Sequence, residues 1–149
     1  MAFDIGKAFK VGTIPIVVLI LLGIFSTVVG AIPVLSMLLC VIGLPLAIIG
    51  WVVNAWAGYK AVKEAGMDLV GGALTGGLVA FVAGVVSGVV GFVVQLLGIG
   101  VGVAGGNDIG GAAIGAGFGV IGIVFGVITG TVIGLVLGAI GAFVAGMKK

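Results

Sequence analysis

Charged side chains divide this chain into a few long apolar stretches. No charge occurs from Val11 to Tyr59, a run of 49 residues. As helix that run would be roughly 73 Å long, against about 30 Å of bilayer hydrocarbon, so it predicts two crossings. The break falls at Gly30-Ala31-Ile32-Pro33, because proline cannot continue a helix but suits the first turn of the next. The predicted spans are residues 13–30 and 34–58, with Pro45 expected to kink the second. A polar stretch, residues 58–68, follows, approached through Trp51, Trp56 and Tyr59, as aromatics are placed at a membrane–water boundary. A third span is predicted over 69–97. Ala104-Gly105-Gly106-Asn107-Asp108 then carries a strong turn signal. The last apolar run, Ile109 to Met147, has 39 residues and exceeds one straight span. We read 109–118 as a glycine-rich approach at the interface and 119–143 as the span, leaving a single long helix, a broken helix and a hairpin open. The expected fold is all-α, a polytopic transmembrane bundle of four spans in one membrane domain, residues 1–149.

Composition supports this solvent. The chain is 62% hydrophobic and 7% charged, whereas a soluble domain carries about 25% charged residues to face water. The lysines orient the spans. Lys7 and Lys10 precede span one, Lys60 and Lys63 lie between spans two and three, and Lys148 and Lys149 follow span four. Four spans place all six on one side, which the positive-inside rule makes cytoplasmic, with both termini there. The expected location is the cell membrane, multi-pass, with these lysines against anionic lipid headgroups. The first 30 residues also look like a signal peptide and are read as a retained signal-anchor span.

Glycine is the most informative residue type, with 32 copies. Gly122, Gly126, Gly130, Gly134 and Gly138 recur every fourth residue, a glycine-zipper pattern. In lipid, where no hydrophobic force joins helices, such rows permit close backbone approach and favour a right-handed crossing. Span three carries Ala73, Gly77, Ala80, Gly84, Ser87 and Gly91 at alternating steps of four and three, a seam that favours left-handed crossing. With Gly88 these form the expected packing faces. Spans three and four are therefore expected in the protein-facing core, and spans one and two toward lipid. Leucine at Gly130 is expected to be worse tolerated than leucine at Val127 or Val132. Asp68-Leu69-Val70-Gly71-Gly72-Ala73-Leu74 also resembles Asp108-Ile109-Gly110-Gly111-Ala112-Ala113-Ile114, forty residues on. That likeness points to a duplication, with chance agreement of two glycine-rich helices as the alternative.

Candidate chemistry is sparse. No carboxylate falls within a span, so ion-coupled carriers and rotors lack their usual mid-membrane group. With no histidine and a single cysteine, Cys40, neither haem, zinc nor iron–sulfur clusters have a ligand set. The hydroxyls have no neighbouring base, which argues against an enzyme, and no cofactor is expected. No basic patch interleaved with aromatics speaks for nucleic acid. The intramembrane polar side chains are Asn54, Gln95 and Ser87, read either as interhelical hydrogen bonds or as a pore lining. Thr129 and Thr131 are expected to bond back to their own helix.

The glycine-rich layout, with a short Gly58-Tyr59-Lys60 link before span three, is similar over residues 30–149 to uncharacterised archaeal four-helix membrane proteins. That resemblance implies a fold and no activity. The expected function is a non-enzymatic structural or accessory membrane protein that forms a homo-oligomer, or joins a larger membrane complex, through glycine-rich helices. The alternatives are a small oligomeric channel or uncoupled transporter, with Gln95 around its axis, and a lipid-embedded viral envelope or capsid protein.

Overall fold

The structure is a computed structural model that describes residues 4–96 and 109–147. It is an all-α bundle of four helices: α1 (Ile5–Ala31), α2 (Pro33–Lys63), α3 (Leu69–Leu96) and α4 (Ile109–Met147). Each contains a segment long and apolar enough to cross a membrane: Ile5–Gly30, Val41–Lys63, Leu69–Val94 and Ile121–Met147. The chain is built as a multi-pass membrane protein.

The helix ends have local causes. Asp4 caps α1 by accepting from the Lys7 N–H at 3.2 Å, so the helix starts well before the predicted 13 and carries Lys7 and Lys10 within it. Ile32, with extended backbone, is the only residue between α1 and α2, and Pro33 opens α2. Pro45 lies inside α2, which continues through the Gly58-Tyr59-Lys60 segment. Past α2, Gly66 takes φ +65°, a conformation open mainly to glycine. The next N–H, of Met67, reaches back to the Ala61 carbonyl at 3.1 Å. Asp68 then caps α3 through the Gly71 N–H at 2.8 Å. α4 is one continuous helix over its 39 residues, roughly 58 Å, neither broken nor a hairpin.

The helices run up, down, up, down. Gly12 lies against Val79, Gly23 against Ser87 and Gly91 against Thr27, so α1 and α3 are parallel. Gly72 meets Ala142, Gly84 meets Val127 and Gly88 meets Ile123, so α3 and α4 are antiparallel. α2 and α3 touch each other and both flanking helices, whereas α1 and α4 do not meet among the described residues. The section is thus a rhombus, with α2 and α3 on its short diagonal. α3 and α4 share the most extensive pairing, and α2 joins them in the interior, a part that the reading of span two as lipid-facing did not give it. α2 earns its place through small residues on one face: Asn54, Ala57, Gly58 and Ala61 are all buried.

Candidate functional site: the glycine contacts of α4 and the Asn54 cleft

The closest approach of the bundle is a three-helix junction. A Cβ at Gly76 would lie 2.5 Å from the Gly134 carbonyl oxygen, and one at Gly138 would lie 2.8 Å from that of Gly72. A Cβ at Gly58 would collide with the Gly138 carbonyl, and one at Gly141 with the Ala55 carbonyl. Glycine here lets three backbones touch, which is how helices gain dispersion and Cα–H···O contacts in lipid. Gly134 and Gly138 are among the predicted packing residues. Gly58, Gly72, Gly76 and Gly141 were not, although the Gly72–Gly76 spacing of four matches that of Gly134–Gly138.

Higher up, the row separates. A Cβ at Gly134 would still meet that of Ala80 at 2.5 Å, but Gly122, Gly126 and Gly130 face nothing within 4 Å. The close contact expected at Gly126 and Gly130 is not made among the described residues. The reason is geometric. A helix turns 100° per residue, so a strict four-residue row drifts about 40° around the axis at each step. By Gly126 it has turned about 120° from Gly138. α3 instead meets Val127 from Gly84, at 3.4 Å for a built Cβ, and Ile123 from Gly88, at 2.8 Å. Gly77 packs on Leu135, so Gly77, Gly84 and Gly88 all face α4, while Ser87 and Gly91 turn toward α1.

Beside this row lies a cleft of about 310 Å³, walled mainly by Ala47, Gly50, Ala80, Ala83, Gly84 and Gly130. Its lining also includes Trp51, Asn54 and Ser87. Asn54 is 8% exposed and donates through Nδ2 to the Gly50 carbonyl at 2.9 Å. Its Oδ1 is buried without a hydrogen-bond partner among the described residues. An unpaired buried acceptor costs about 1–3 kcal/mol. The hydroxyls behave more simply: Thr13, Thr27, Thr75 and Thr131 donate to the carbonyls of Phe9, Gly23, Gly71 and Val127 at 2.7–2.9 Å. Gln95 belongs to α3, but its side chain lies outside the described set, as do Lys148 and Lys149.

The alternating direction of the helices brings Lys7, Lys10, Lys60 and Lys63 to one end of the bundle. Lys7 pairs with Asp4 at 3.8 Å, and Lys60 pairs with Glu64 at 3.4 Å. The Lys60 ammonium also sits 5.0 Å from the centre of the Trp56 ring. Among the described residues no group of histidine, cysteine or acidic side chains could hold a metal ion. No known protein family, curated protein or solved structure matches the chain.

Proposed function

We propose that this is a non-enzymatic structural or accessory protein of the cell membrane that self-associates through the outer half of α4. The observation that carries this reading is the divided glycine row. Its lower members, Gly134 and Gly138, admit another helix to backbone contact, whereas Gly122, Gly126 and Gly130 continue the spacing with none of the described residues within 4 Å of a built Cβ. Glycine costs about 1 kcal/mol relative to alanine in an exposed helix interior in water, and a helix packed there in the assembly offsets that. The lysine-bearing end is cytoplasmic, and its ammonium groups meet anionic headgroups.

Energy transfer between donor- and acceptor-labelled copies in liposomes tests the reading. Transfer above the level of random proximity is expected for the native chain and for Gly146→Leu, an open glycine outside the row. Gly126→Leu is expected to abolish it. Equal transfer in all three proteins would overturn self-association through this face.

A further inference from the structure

We infer that the cleft beside Asn54 binds a neutral, lipid-soluble molecule carrying one hydrogen-bond donor, such as a long-chain alcohol, with the Asn54 carbonyl as its acceptor. The cleft shares Gly130 with the proposed self-association face but needs no second copy to form. Four observations carry the inference. The Asn54 amide is fixed in orientation, because turning it over would set Oδ1 against the Gly50 carbonyl that Nδ2 now bonds at 2.9 Å. The free group is therefore the oxygen, an acceptor, and it lacks a partner among the described residues. The walls combine small residues with Leu19, Trp51 and Ile133 and leave about 310 Å³, roughly ten times the ~30 Å³ share of one liquid water. No charged side chain lines the space, so a charged occupant would be left without compensation. Asn54 lies between Trp51 and Trp56 and six residues before Lys60 on α2, or about 9 Å along the helix, which puts it just inside the boundary, where the hydroxyl of a membrane-dissolved alcohol resides. Oδ1 is itself covered, so a donor engages it as the side chains around it change rotamer.

Trp51 lines the same cleft and supplies the readout. In a Trp56→Phe background it is the only tryptophan. The probes are 11-bromo-1-undecanol and 1-bromoundecane, matched in chain length and heavy atom but differing in the hydroxyl, added to the protein in liposomes. Trp51 quenching is expected to saturate with the alcohol at about 3- to 10-fold lower mole fraction than with the alkane, the range that one neutral hydrogen bond supplies. Asn54→Leu is expected to erase that preference while leaving the helical circular dichroism and its melting intact. Ala47→Leu, at an exposed position on the cleft wall, is expected to reduce saturable quenching by both probes. Quenching of the parent by both probes alike, as a cleft holding only water would give, overturns the inference. So does a preference for the alcohol that survives Asn54→Leu.

Discussion

At the scale of single residues, the protein discriminates between glycines by what stands opposite them. Gly138 faces the Gly72 carbonyl and the Gly76 Cα, at 2.8 and 2.9 Å from a built Cβ, and both are backbone atoms that cannot rotate away. Gly76→Ala and Gly138→Ala should therefore each cost about 1–3 kcal/mol, the usual range for overpacking. Gly126→Ala should be neutral, or stabilise by up to about 1 kcal/mol, when measured on monomers in detergent. Unfolding of the three variants side by side checks this, and equal losses would contradict it. Asn54→Leu exchanges an unpaired carbonyl for apolar atoms and breaks only a bond within its own helix. Its stability should lie within about 1 kcal/mol of the parent or above it. A loss of several kcal/mol would mean that the amide has a structural partner. The four-residue row was legible in the sequence. Which of its members touch a neighbour was not, because drift around the helix decides that and depends on where α3 crosses.

At the scale of elements, the apolar runs predicted the four helices because lipid imposes one rule on all of them: backbone groups must be bonded within the segment. The break at Ile32-Pro33 was legible for the same reason, since proline removes a donor. The outer limits were less legible. Hydrophobicity marks where hydrocarbon ends, whereas a helix ends where its last N–H and C=O groups find other partners. Hence α1 starts behind the Asp4 cap, and α2 runs on through Lys60 to Lys63. The Asp68 cap of α3 gives a test. Asp68→Ala removes the acceptor of the Gly71 N–H and should cost about 0.5–2 kcal/mol. Amide exchange should quicken at Gly71 and remain slow at mid-helix positions such as Val79.

At the scale of the whole molecule, burial and charge organise the bundle differently. The junction around Gly58, Gly76 and Gly138 locks three helices near the lysine-bearing end, and above it α4 stays against α3 through Val127 and Ile123 while its glycine row turns away. If that end is cytoplasmic, cysteines at positions 10 and 63 in a Cys40→Ser background should resist impermeant reagents added outside intact cells, and one at position 107 should react. The reverse pattern would invert the orientation. The central claim, that a second copy covers the open part of the glycine row, is tested most directly by a disulfide scan along α4 in the same background. Single cysteines at positions 122, 126, 130, 134 and 138, oxidised in native membranes, report which positions meet their own copies across an interface. The account predicts cross-linked dimers from 122, 126 and 130 and none from 134 or 138. Absence of dimers at all five positions, or dimers confined to the lower two, would contradict it.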